Sequence, residues 1–196
     1  FERIGIVRRR LGIGCGAHRQ TLNFRIEKNL LAVFRKQELD ESLGGFLVFC
    51  VGDNLKKYPE IAKNLLTEGH QIGNHTMHHI KGWRNRNFQY WNDIEMCENE
   101  IQAIKNQIAV IEKPNRLLFR PPYGQIKPSQ ISMIRSKGYE IIQWSDLSCD
   151  YDPRLDCNES LKALVKNAKP GSIVVFHDSE KAEKQLKGIF PQYLMP

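Results

Sequence analysis

From Phe46 onward, short apolar runs alternate with segments of helical period, and no other feature restricts the fold as strongly. FLVFCV, residues 46–51, is a continuous apolar run of the kind a buried parallel strand shows. YPEIAKNLLTEG follows, with Pro59 near the first turn, Ile61, Leu65 and Leu66 at helical spacing, and Gly69 closing the end. A long helix is predicted over about 88–110, with Ile94, Ile101, Ile104 and Ile108 on one face. Further strands are predicted at 117–119, 139–144 and 172–176, and helices over 128–137 and 158–168. A last helix begins near Ser179 and fades by Phe190-Pro191. Such alternation implies an α/β domain with a mainly parallel sheet.

The alternation also positions the polar residues. His75 and His79, Arg120 and Tyr123, Asp150, and His177 all fall just past the C-terminal end of a predicted strand. In α/β barrels that rim is where reacting groups gather. On a helical turn His75 and His79 would share a face and reach one divalent ion, and an open catalytic site would need at least one more protein ligand plus water. Each residue has a plainer reading when taken alone. The histidines could be surface residues at a helix start, Arg120 a strand-end arginine paired with a surface acid, and Pro121-Pro122 only a rigid loop. Asp178-Ser179 could simply cap a helix, Asp150 could be a solvated acid, and Trp83 and Trp144 core or shell residues. Several polar clusters on one rim, in order, favour a site.

The segments IGNHTMHH, LFRPPYG and GSIVVFHDS together resemble the polysaccharide deacetylases of NodB homology, over about residues 46–196. That resemblance implies a distorted, mainly parallel (β/α) barrel that removes acetyl groups from carbohydrate with a divalent metal, usually zinc. It further implies that His75 and His79 are metal ligands and that Arg120 steadies a catalytic carboxylate. Tyr123 matches the residue whose backbone N–H helps bind the oxyanion, His177 the general acid, and Asp150 the acid that tunes it. Pro121 and Trp144 join Tyr123 as substrate-binding residues. The expected substrate is an acetylated amino-sugar polymer, peptidoglycan or chitin-like, and the expected location is the cell envelope.

The family's opening motif, T-F-D-D, supplies the general base and the third metal ligand, and no Asp-Asp pair occurs in this chain. Where it belongs the sequence reads AHRQTLNFRIEKNLLAVF. Asp40, Glu41 and Asp53 are the candidate substitutes, with Asp53 better read as a cap for the helix containing Pro59. Without the pair the alternative is a catalytically impaired, carbohydrate-binding relic of the same fold, since losing a general base forfeits roughly 10²–10⁴-fold of rate.

Residues 1–44 form a divergent basic segment, and residues 45–196 the deacetylase-like domain. One amphipathic helix is expected over about 27–37, and the glycines at 12, 14 and 16 are a weak dinucleotide signal without a strand before them. The net charge is +7, and residues 1–36 carry nine Lys/Arg against two Asp/Glu, so the other 20 basic and 20 acidic residues balance. A basic groove along the body for nucleic acid is therefore not expected. Binding of nucleic acid or anionic lipid by the N-terminus would rest on charge alone. Five scattered cysteines without C-x-x-C suggest neither a zinc ribbon nor a disulfide framework. No stretch is apolar enough to span a bilayer, and the start of the chain does not read as a signal peptide.

Overall fold

The computed structural model describes residues 46–108, 116–169 and 171–194. The expected segment over residues 1–44, with its helix and the acids Asp40 and Glu41, lies outside them. Strands β1 (Leu47–Cys50), β2 (Gln71–Asn74), β3 (Leu117–Phe119) and β4 (Tyr139–Ile141) form one parallel sheet in that order. Strands β5 (Asp146–Leu147) and β6 (Val174–Val175) form a second parallel pair. Helices α1 (Gly52–Lys57), α2 (Pro59–Thr67), α3 (Asn87–Lys105), α4 (Pro128–Ser136), α5 (Cys157–Asn167) and α6 (Glu183–Leu194) pack around them. The fold is the mainly parallel α/β one expected. Among the described residues its strands do not close, as in a distorted barrel.

Most predicted elements appear with shifted ends. Residues 52–57 form α1, a helix the sequence reading lacked, and Asp53 lies in its first turn rather than capping α2, whose N-cap is Tyr58. The predicted strand over 139–144 is pleated only to Ile141, and β5 starts separately at Asp146, pairing with Val174 instead of continuing beside β3. Helix α3 ends at Lys105. Helix α6 runs through Pro191, on an exposed face where the missing N–H leaves its carbonyl partner open to water.

The core explains the strand texts. Val48, Phe49 and Cys50 are fully buried, as are Leu55, Ala62 and Ile189, because the parallel sheet is covered on both faces. A second cluster joins Tyr90 and Ile94 of α3 to Phe119, Ile134 and Tyr139. Register then aligns the strand ends: Cys50 pairs with Asn74, Asn74 with Phe119, and Phe119 with Ile141. The residues following that row, His75 and Arg120 among them, are thus neighbours through backbone pairing. No helix among the described residues is long and apolar enough to cross a membrane.

Candidate active site

His75 leaves β2 into a loop, not the helical turn its spacing to His79 suggested. Thr76 has φ 64° and His79 φ 56°, a left-handed conformation unusual for any residue with a Cβ and strained for a β-branched one. Tertiary bonds impose it. The buried Asn74 amide donates to the Ile94 carbonyl at 2.8 Å and accepts from the Thr76 N–H at 3.0 Å. Gly52 N–H donates to the Thr76 carbonyl and Asp53 N–H to that of Met77, each at 3.0 Å. A Cβ on Gly52 would lie 3.0 Å from the Met77 Cα and closer still to its sulfur, so glycine is required there.

The bent loop still brings the two rings together, with centroids 4.9 Å apart. His75 Nδ1 lies 2.7 Å from the Arg120 carbonyl oxygen. A carbonyl only accepts, so Nδ1 carries the hydrogen and Nε2 keeps its lone pair. Burial, then the neighbouring His79, holds the His75 pKa well below the ordinary imidazole value, so the ring is neutral. His78 turns outward to the buried Asp93, which also accepts its backbone N–H at 3.0 Å.

Arg120 is almost wholly buried, its Nε donating to the Ile142 carbonyl and Nη2 to that of Gln143, each at 3.2 Å. Its guanidinium lies 4.3 Å from the Phe49 ring centroid, and burial lowers its pKa well below the usual value. Beyond Pro121-Pro122, Tyr123 has φ 59° and its ring lies 4.7 Å from that of His79, with Lys81 Nζ 4.5 Å from the same ring. Gly124 is needed for its positive φ and because a Cβ would stand 2.7 Å from the Trp144 ring.

Strands β5 and β6 deliver the opposite wall. Leu147 pairs with Val175, which places Asp150 and His177 a few residues further along adjoining strands. Asp150 is fully buried, and both its oxygens are engaged, one by the His177 backbone N–H and one by Nδ1, each at 2.7 Å. Nε2 is the ring nitrogen left for the pocket. The Tyr151 ring meets His177 edge-on at 5.1 Å. Asp178, whose plainer reading was a helix cap, is buried; desolvation, then the charges of Asp150 and Glu183, push its pKa up to about 8.

These walls enclose a pocket of about 180 Å³. His75, His79, Arg120, Pro121, Tyr123, Trp144 and His177 line it, and Asp150 stands behind His177. The structure thus gathers every residue assigned to the site from the sequence. Three lining residues escaped the sequence reading: Leu147, Tyr151 and Val175. Tyr151 was signalled only by its place after Asp150, and the other two look like ordinary strand residues.

His75 Nε2 and the adjacent His79 could supply two ligands to a divalent ion, but a catalytic zinc takes three from the protein. Among the described residues no group of three His, Cys, Asp or Glu is placed to hold one. Asp53, the one candidate substitute described, is exposed on α1 and its charge acts on His78. The described residues alone therefore do not fit a complete catalytic metal site.

A family model described as Polysaccharide deacetylase matches residues 28–142. The chain is 33% identical over 141 residues to a peptidoglycan-N-acetylglucosamine deacetylase of Bacillus cereus, covering 70% of this chain and 61% of that one. It is 28% identical to a chitooligosaccharide deacetylase of Azorhizobium caulinodans, covering 66% and 59%. It therefore spans about three-fifths of these two relatives. Among solved structures, a peptidoglycan N-acetylglucosamine deacetylase in complex with 4-naphthalen-1-yl-N-oxidanyl-benzamide is similar at TM-score 0.63 and 27% identity, covering 74% of this chain and 67% of that one. A CE4 family pseudoenzyme from Bacillus anthracis shares the fold at TM-score 0.61 and 19% identity, with coverage of 74% and 49%.

Proposed function

This chain belongs to the polysaccharide deacetylase family, and from that premise we propose that it is a hydrolase removing acetyl groups from an amino-sugar polysaccharide of the cell-wall type. The observation that carries the proposal is the pairing of His177 with the fully buried Asp150 on the wall of the same pocket that holds His75, His79 and Arg120. Domain limits of 45–196 are assigned to this chemistry.

Amide hydrolysis needs a nucleophilic water, stabilisation of the tetrahedral oxyanion, and a proton for the leaving amine. His177 is the proposed source of that proton. Asp150 fixes Nδ1 as the donor nitrogen, so Nε2 is the atom that exchanges a proton with the sugar nitrogen. The aromatic faces of Tyr123, Trp144 and Tyr151 shape an apolar wall that excludes water around the acetyl group. The Tyr123 backbone N–H, on a loop stiffened by Pro121-Pro122, is the assigned oxyanion donor. Arg120 is the steadying cation, held rigid by two carbonyls and the Phe49 face.

The short donor set among the described residues favours a second reading, an impaired fold that binds acetylated glycan without turning it over. Acetate release decides between them. The full chain is incubated with acetylated chito-oligomers and with peptidoglycan, with Zn²⁺ or Co²⁺ added. Release that disappears in His177→Ala supports the deacetylase. Glycan binding with no acetate released by the unaltered chain overturns it in favour of the second reading.

A further inference from the structure

Beside the pocket mouth, the segment after His79 makes a rim unlike the rest of the surface. Trp83 is 62% exposed, contrary to the core or shell position its residue type suggested. Its indole N–H donates to the Ile126 carbonyl at 3.1 Å, which fixes the ring although most of it meets solvent. Exposing a large aromatic surface while pinning its one polar atom costs hydration and gains nothing for the core. Trp83 lies on the Gly82–Arg84 turn, tied to the Tyr123 loop by the Gly82 N–H bond to the Gln125 carbonyl at 3.2 Å, and to α4 by Gln130 Nε2, which donates to the Gly82 carbonyl at 2.9 Å. The atom holding the indole belongs to Ile126, three residues past the pocket-lining Tyr123. Even fully extended, that stretch reaches only about 10 Å.

Charge marks the same rim. Residues 80–92 and 121–130 hold four Lys/Arg (Lys81, Arg84, Arg86 and Lys127) and no Asp or Glu, in a body, residues 37–196, whose 20 basic and 20 acidic residues balance. Lys81 sits over the Tyr123 ring, Arg84 and Arg86 are exposed on either side of Asn85, and Lys127 Nζ donates to the Asn85 carbonyl at 2.7 Å. Asp53 and Asp93 both act on His78.

We propose that the Trp83 rim is a second glycan subsite, which takes a sugar unit bearing a carboxylate substituent and so selects an anionic amino-sugar polymer over a neutral one. The proposal rests on the deacetylase reading and narrows its substrate class. The C–H face of a pyranose ring suits the electron-rich face of a fixed indole, and the flanking cations meet a carboxylate carried on the sugar or on a peptide attached to it. Such charges lie at the surface, so their contribution falls with added salt.

The test is binding of the full chain to soluble peptidoglycan strands with free carboxylates and to the same strands with those carboxylates converted to amides, at low and high salt. Acetate release is followed on the same samples. The expected result is binding about tenfold tighter to the free-carboxylate strands, the size two or three exposed charge pairs supply. That preference disappears at high salt and in the double variant Arg84→Glu/Arg86→Glu. Trp83→Ala weakens binding to both strands alike. Equal binding to the two strands, binding to neither, or a preference that survives the double variant overturns the subsite, whatever the acetate assay reads. Charge-selective binding without acetate release upholds the subsite and overturns the deacetylase reading.

Discussion

His75 and His177 line one pocket, yet their rings are anchored by different partners. His75 Nδ1 donates to a backbone carbonyl, that of Arg120, while His177 Nδ1 donates to the buried carboxylate of Asp150. A carbonyl dipole fixes the direction of a neutral ring. A carboxylate fixes the direction and can also stabilise an imidazolium formed during reaction. The first arrangement suits a ligand and the second a proton carrier. They also differ in completeness: Asp150 and His177 satisfy each other, whereas His75 and His79 have no third donor among the described residues. Among the described residues the His177 side is therefore complete through its pairing with Asp150, while the His75 side is one donor short of a catalytic metal site.

The largest effect expected from breaking this contrast is on rate. If the unaltered chain releases acetate, His177→Ala lowers turnover by roughly 10²–10⁴-fold, and Asp150→Asn, which keeps the shape but removes the charge, lowers it nearly as far. His78→Ala, outside the pocket, leaves acetate release unchanged. A loss in His78→Ala equal to that in His177→Ala would remove the distinction between the inward and outward histidines.

Among stability effects, the largest is expected from Asp178. Its folded pKa of about 8 lies far above the unfolded value of roughly 4, so between those limits the native state binds the extra proton. Stability is full below about pH 4, falls as pH rises, and reaches its low plateau above about pH 8. Asp178→Asn should flatten that fall, and urea unfolding at pH 5 and pH 8 reads it directly. An unchanged slope would show that another group carries the proton.

On the His75 side, Gly52→Ala should destabilise by about 1–3 kcal/mol, because its methyl would meet the Met77 backbone and sulfur. Thermal unfolding measures it, and an unaffected melting temperature would mean the loop yields freely. The smallest effect sharpens the other side. Asp156 caps α5, accepting from the Asn158 N–H at 2.8 Å and the Glu159 N–H at 2.9 Å. The same helix braces the approach to Asp150 through the Ser160 hydroxyl, which donates to the Ser148 carbonyl at 2.8 Å. Asp156→Ala should cost about 1 kcal/mol, read by the same melt, and leave the pocket intact.

The alternation of apolar runs and helical segments, and the place of each polar cluster at a strand end, were legible in the chain itself. Those signals depend on which residues bury and on the period with which they recur, and both are local. The path of residues 75–80 was not legible. The left-handed Thr76 opposes its own preference and persists because Asn74, Gly52 and Asp93 bind the surrounding backbone from other elements. Nor could the sequence separate β4 from β5, since the length of a strand depends on which partner it finds, and Asp146 finds Val174. Leu147, Tyr151 and Val175 became pocket residues for the same reason. By itself, then, the sequence determined the family of fold and the residues available for chemistry. Tertiary structure decided which nitrogen His75 and His177 present, because hydrogen-bond partners brought from distant strands choose the tautomer.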